Sequence, residues 1–324
     1  MEQRELGRSG ISVSRIVLGC GNFGGVGSAP EWFGRGTSPA DAFRIMDAAW
    51  ELGITTFDTA DAYGGGRSES AIGAWLRTKG PDVRERLVIE TKTYNAMDVG
   101  HDRGLSRARI RRQIETSLER LGVERVPLYM AHDYDADVPQ EETLLAFDEL
   151  VRSGKIGAVG ASNFDADRLA EAVEISELEG FARYEWVQNS YSLLEQGDRE
   201  TVLPVCRGHE LGYTAYSPLA GGWLTGKYRR GEQPPPGSRM TQRPGPYASY
   251  SSDAVFDALE ALEREAADRG VSPAGLALGW LLAQADVSAV VIGPGRVEQL
   301  APVAEALSLE LSPADCDRVG AMFA

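Results

Sequence analysis

Eight short apolar runs, alternating with stretches of helical periodicity, constrain this chain more than any other feature. The runs fall at residues 16–18, 55–58, 87–92, 127–132, 158–162, 185–191, 213–217 and 289–293. Between them, apolar residues recur on single helical faces. Examples are Ile45, Ala49 and Leu52; Ile110, Ile114, Leu118 and Leu121; Leu144, Phe147 and Val151; and Val255, Leu259, Leu262 and Ala266. Strand–helix alternation implies parallel strands, because each helix returns the chain to the start of the next strand. A count of eight suits a closed (β/α)8 TIM barrel. An open doubly wound sheet is the alternative, and it would carry a glycine-rich phosphate turn that opens a helix. Gly19-Cys20-Gly21-Asn22-Phe23-Gly24 has that spacing, but it runs into Gly25, Gly27, Pro30 and Gly36 instead. The predicted fold is therefore α/β, a single barrel domain over 1–324. It carries an N-terminal hairpin around Ser9-Gly10 that caps the barrel bottom. An extra C-terminal helix is opened by Ser312-Pro313-Ala314-Asp315.

Composition narrows the function classes. With 33 basic and 48 acidic residues the formal net charge is −15, which argues against nucleic acid or an anionic membrane surface as partner. Three cysteines, widely spaced, suggest neither a disulfide framework nor a metal site. The first residues, Met1-Glu2-Gln3-Arg4-Glu5-Leu6, lack an apolar signal core, and no run is long enough to span a bilayer. The expected compartment is the cytoplasm. Oligomeric state is left open.

Four functional groups fall at or just past the ends of predicted strands. Asp58 and Tyr63 lie in Phe57-Asp58-Thr59-Ala60-Asp61-Ala62-Tyr63-Gly64, Lys92 ends Leu87-Val88-Ile89-Glu90-Thr91-Lys92, and His132 ends Leu128-Tyr129-Met130-Ala131-His132. That is the face where a parallel barrel collects its active site. A phenol, an ammonium, an imidazole and a carboxylate there suit proton transfer to a carbonyl oxygen. A free phenol titrates near ~10, and a neighbouring ammonium lowers that value. Tyr63 is thus expected to be the general acid, Lys92 its tuner, Asp58 the partner that orients Lys92, and His132 the hydrogen-bond partner of the carbonyl. Any one of these residues alone would be expected to be structural.

Five blocks in order resemble the aldo-keto reductase family: the Asp58–Tyr63 block, Thr91-Lys92, Ala158-Val159-Gly160-Ala161-Ser162-Asn163-Phe164, Gln188-Asn189-Ser190-Tyr191-Ser192, and the block from Tyr216 through Tyr228. The branch resembled is the bacterial one that is also similar to potassium-channel β-subunits. The resemblance implies a (β/α)8 barrel and NAD(P)H-dependent reduction of a small-molecule aldehyde or ketone, with the four roles above. It implies that Ser162, Asn163 and Gln188 hold the nicotinamide carboxamide, and that Tyr216 stacks on the ring. Ser217, Leu219 and Gly221 would cradle the pyrophosphate, with Lys227 adding a charge. Gly293, Arg296 and Gln299 open what reads as a helix, where a 2′-phosphate can bind. NADPH is the expected cofactor over NADH, although Pro302 and Val303 stand where the family often has Glu and Asn.

Aromatic and acidic residues of the mouth loops, Phe23, Trp32, Phe33, Tyr94, Asp133 and Tyr134, are candidates for the substrate pocket. The segment 229–252, rich in proline and without periodicity, is expected to be a lid. Small aldehydes, dicarbonyls, sugars and natural-product ketones all remain candidate substrates. Two other readings stay open: a nucleotide-binding regulatory subunit with vestigial chemistry, and an NAD-linked sugar dehydrogenase using the same residues.

Overall fold

The computed structural model describes residues 1–98, 100 and 102–324. A two-stranded antiparallel hairpin, β1 (Gln3–Glu5) and β2 (Ser12–Ser14), precedes eight strands. These are β3 (Ile16–Gly19), β4 (Thr56–Asp58), β5 (Val88–Thr93), β6 (Val126–Ala131), β7 (Ile156–Ser162), β8 (Tyr184–Ser190), β9 (Gly212–Tyr216) and β10 (Ala289–Ile292). They pair in chain order, all parallel, and β10 closes on β3. The predicted (β/α)8 barrel is thus the fold, with strand limits shifted by a residue or two.

The strands are apolar on both faces because both faces are covered. Ile16, Leu18, Ile89, Tyr129 and Val187 belong to the shell packed under helices such as Arg107–Leu121 and Gln140–Arg152. The residues between them, Val17, Leu128, Met130, Ala158, Trp186, Ala289 and Val291, fill the barrel interior together with Leu6 and Val13 of the hairpin. The hairpin is therefore the plug of the barrel bottom. Gly160 makes room for the largest side chain of the barrel interior, since a Cβ there would overlap the Trp186 indole. Truncating Trp186 to alanine would cost roughly 3–5 kcal/mol in lost packing and cavity.

At the far end, the helix Pro313–Ala321 begins with a reciprocal cap. The Asp315 amide donates to Ser312 Oγ at 3.2 Å and the Ser312 amide to the Asp315 carboxylate at 3.0 Å. Leu52 departs from its predicted inward face. It follows the helix Pro39–Glu51 as its cap and is exposed. The segment 229–252, expected to be a lid, is not without secondary structure. It holds two short helices, Arg239–Gln242 and Gly245–Tyr250, packed on the core through Met240, Tyr247 and Tyr250. Among the described residues, no helix is long and apolar enough to cross a membrane.

Candidate active site

Parallel register brings the catalytic candidates together at the C-terminal mouth. Asp58 ends β4 and pairs with Glu90 of β5; Lys92 lies two residues on, hence on the same inner face. Lys92 Nζ is ion-paired with Asp58 and donates to the Thr59 carbonyl at 2.9 Å, and both charged side chains are buried. From β8, Gln188 Nε2 bridges the two acids, donating to Asp58 Oδ2 at 3.0 Å and to Glu90 Oε1 at 2.8 Å. Two carboxyls therefore lie beside one ammonium in a buried interior. Burial, reinforced by Asp58, pushes the Glu90 carboxyl well above its usual range. Burial pulls Lys92 down, but Asp58, Tyr63 and Glu90 outweigh it and hold the ammonium more firmly charged than usual. Sequence reading did not single out Glu90. Its place two residues before Lys92 in a period-two strand was the available signal.

Tyr63 follows β4 on a tight turn, Tyr63–Gly65, that swings the chain into the helix Arg67–Arg77. The turn needs Gly64, whose φ is +59° and whose missing Cβ would lie 2.8 Å from the Phe23 carbonyl. Lys92 Nζ lies 5.0 Å from the centre of the Tyr63 ring, and Tyr63 Oη lies 3.4 Å from His132 Nε2. The two rings meet edge to face at 77°. Both keep some surface at the mouth, yet enough protein surrounds them that desolvation controls their ionisation. The Tyr63 phenol is pushed up to about 12 by burial; Lys92 is the largest opposing influence and does not prevail. Lys92 does lower the phenol, as expected, but burial outweighs it, with Asp58 and Glu90 adding smaller raising influences, so the net shift is upward and not below a free phenol's value. His132 is held well below its usual value, first by burial and then by Lys92, so the ring is neutral. Its second nitrogen, Nδ1, lies 3.2 Å from Asn95 Nδ2.

The opposite wall is made by the ends of β7, β9 and β10. Ser162 ends β7 and is buried, and Asn163 follows in the left-handed region with φ 61°. Asn163 Nδ2 donates to the His132 carbonyl at 2.8 Å and to Ser162 Oγ at 3.2 Å, while its Oδ1 accepts from Tyr216 at 2.7 Å. The amide predicted to be free for a ligand is thus also a strut between three strands. After β9, Ser217, Ala220, Gly221 and Gly222 all have positive φ, from 47° to 96°. For Ser217 and Ala220 that conformation costs on the order of 1–3 kcal/mol each. The turn opens beside Lys227, whose ammonium lies where a Cβ on Gly222 would stand. Lys227 is lowered by burial and by two further cations, Arg239 and Arg296. Arg239 donates to Asn22 Oδ1, and Asn22 Nδ2 to the Gly293 carbonyl at 3.0 Å, which ties the segment 229–252 to the end of β10. Arg239 escaped sequence reading because its segment has no periodicity to place it. Gly293 and Arg296 are exposed. The helix expected to open at residue 293 begins only at Val297, with Arg296 preceding it and Gln299 Oε1 accepting from the Gly295 amide at 2.6 Å. Lys227, Arg239 and Arg296 thus lie near enough to one another, beside this turn, for their charges to interact, a grouping suited to a phosphate.

Barrel, strand-end tetrad and basic wall together can be set against known proteins. The sequence profile of the aldo/keto reductase family matches residues 15–322. The chain belongs to the aldo/keto reductase family. It is 38% identical to an uncharacterized oxidoreductase, YrpG, of Bacillus subtilis, an alignment covering 96% of this chain and 92% of that protein. It is 33% identical to a putative voltage-gated potassium channel subunit beta of Schizosaccharomyces pombe, covering 92% of this chain and 85% of that one. An NADH-specific methylglyoxal reductase of Escherichia coli is 32% identical, with 97% and 96% covered. Membership makes this an oxidoreductase of a family that works on carbonyls with nicotinamide cofactors.

Within this aldo/keto reductase, the predicted substrate residues fare unequally. Phe23 is fully buried in the core and offers no surface to a ligand, a correction that follows from the loop folding back beside Thr37. Trp32 is half-buried with Arg35 over its ring at 5.6 Å. Tyr94 and Asp133 are half-buried at the mouth, and burial raises the Asp133 carboxyl despite the Tyr134 amide donating to it at 2.8 Å.

Proposed function

We propose that this chain reduces the carbonyl of a small aldehyde or ketone to an alcohol, with NADPH favoured over NADH. The observation that carries the reading is the pair of polar atoms Tyr63 Oη and His132 Nε2, 3.4 Å apart beside a buried, firmly charged Lys92. A carbonyl oxygen set against both atoms accepts hydrogen bonds from a protonated phenol and a neutral imidazole. When bound, the nicotinamide supplies the hydride. Tyr63 then gives its proton to the oxygen. A phenol at about 12 is fully protonated at neutral pH, as a general acid must be, and remains a far stronger acid than the alcohol it forms. Lys92 steadies the phenolate left behind, and Asp58 keeps Lys92 oriented.

The cofactor assignment rests on the opposite wall. Ser162, Asn163 and the side-chain oxygen of Gln188, Oε1, would hold the carboxamide, because both Gln188 side-chain N–H groups serve Asp58 and Glu90. Tyr216 would stack on the ring. Ser217, Leu219, Gly221 and Lys227 would take the pyrophosphate, with Arg239 beside them. Gly293, Arg296 and Gln299 would face the adenosine end. The NADH-specific relative makes the nucleotide preference the finer question. The test is steady-state turnover of aldehydes, ketones and sugars with each nucleotide in turn. Turnover of an aldehyde that favours NADPH is expected, and no turnover with either nucleotide overturns the reading.

A further inference from the structure

The structure assigns Asn95 as a positioning residue that fixes the tautomer of His132, placing the ring's only proton on the nitrogen that faces Tyr63. This rests on the carbonyl-reductase reading for its consequence, but not for its test. Neutral imidazole carries one N–H, and which nitrogen bears it is set by what the other one meets. Nδ1 meets the Asn95 amide nitrogen at 3.2 Å. An amide N–H donates only to a bare lone pair, so Nδ1 is the acceptor and Nε2 carries the hydrogen. Nε2 in turn lies 3.4 Å from Tyr63 Oη, so the N–H and the phenol converge on one spot. The opposite tautomer would present a lone pair there and repel a carbonyl oxygen. The ionisable groups that face the ring are Tyr63, from the turn after β4, and Lys92 on β5; Asn163, on the β7 side, is neutral.

Asn95 is itself held. Arg109, buried on the helix Arg107–Leu121, donates through Nη2 to the Asn95 carbonyl at 2.6 Å. The same guanidinium donates to Thr93 Oγ1 at 2.8 Å and to the Gly104 carbonyl at 3.1 Å, and it faces Asp61 at 3.8 Å. One buried arginine thus fastens the chain just past β5 in the place that aims the Asn95 amide at His132.

The test separates the inference from the reading. The chain has three histidines, so the His132 ring is readily assigned by its loss in His132→Gln. Long-range 15N–1H NMR of the labelled protein should show the Nε2–H form in wild type. Asn95→Leu removes the donor and should leave a mixture of tautomers, with kcat for the best aldehyde falling by up to roughly a hundredfold, the lower end of general acid–base effects, because part of the population keeps the productive tautomer. Nucleotide affinity should not change. Asn95→Asp replaces donor by acceptor, so at pH 8 the Nδ1–H form should dominate and kcat should fall further. Its activity should recover on acidification, when the imidazolium again carries an Nε2 proton. Leucine cannot give that recovery, and a merely structural role would not produce it. Finding Nδ1–H in wild type, or unchanged tautomer and kcat in both variants, overturns the assignment. If wild type turns over no carbonyl at all, the reading fails, while the NMR result still decides the tautomer.

Discussion

The two walls of the barrel mouth are built on opposite principles. On the β4–β6 side, with Gln188 reaching in from β8, the polar groups already have partners: Lys92 with Asp58 and Thr59, Gln188 with Asp58 and Glu90, His132 with Asn95 and Tyr63. On the β9–β10 side, burial and the neighbouring Arg239 and Arg296 together depress the Lys227 ammonium, and the acid near Arg296 is the exposed Glu298, 3.9 Å away. The first wall is complementary to itself and the second to an anion. A site for chemistry needs fixed geometry before the substrate arrives, whereas a site for a polyphosphate needs uncompensated charge.

The sharpest way to break this comparison is to remove one atom from the self-complementary wall. Tyr63→Phe deletes the phenolic oxygen and leaves the ring. Carbonyl reduction should fall by roughly two to four decades, while nucleotide affinity, measured by fluorescence titration, stays at the wild-type value. Turnover near wild type would remove Tyr63 from the mechanism. Loss of nucleotide binding would show that the two walls are not separable.

Lys92→Met should also lose activity, and it should cost stability that Tyr63→Phe does not. The substitution leaves Asp58 buried without its cation, a penalty of roughly 3–5 kcal/mol in urea unfolding. Asp58→Asn should reduce activity less, because it acts on Tyr63 only through Lys92. Combining the two changes should recover part of the lost stability, because no unpaired charge remains. A double variant no more stable than Lys92→Met alone would mean that the pair is not the source of the penalty.

On the anion-complementary wall the effects should be smaller and should appear in binding. Arg239 is largely enclosed, while the Arg296 side chain is 72% exposed. Arg239→Ala should weaken NADPH by roughly 1.5–3 kcal/mol, the worth of a charge-assisted hydrogen bond, and Arg296→Ala by less. The NADPH-to-NADH ratio in each variant shows which cation reads the 2′-phosphate. If Arg296→Ala has the larger effect, or weakens both nucleotides equally, the ranking by burial is wrong.

This contrast also explains what was legible in the chain. Asp58, Tyr63, Lys92 and His132 could be read because strand periodicity places their blocks at one face, and family motifs name them. The barrel followed from the same alternation. Arg239 could not be read, since its position depends on Met240, Tyr247 and Tyr250 packing an aperiodic segment back onto the core. The sign of the Tyr63 shift was missed for a related reason: the neighbouring charge is visible in sequence, but the burial that outweighs it belongs to the assembled fold. Phe23 reads as an aromatic in a glycine-rich loop, and only the bridge to Thr37 reveals that it is core.

The smallest expected effect lies deepest in the catalytic wall, and it tests how that wall keeps its charge balanced. Asp58 and Glu90 are register partners, both buried, and bridged by one amide. If both were ionised, two buried anions would face one ammonium. Glu90 should therefore hold its proton, and Glu90→Gln replaces a neutral acid by a neutral amide of the same shape. Activity at pH 7 should stay within about threefold of wild type and stability within about 1 kcal/mol, far less than for Asp58→Asn. Infrared spectra in heavy water should show a protonated carboxyl band in wild type that this variant lacks. The sign of any pH effect follows from the raised pKa: in the range between the ordinary glutamate value and the native one, the folded state holds a proton that the unfolded state has released. Wild-type stability should then fall as pH rises through that range, and Glu90→Gln should flatten the fall. Were Glu90→Gln as damaging as Asp58→Asn, or the band absent, both acids would be ionised and the wall would not be self-complementary.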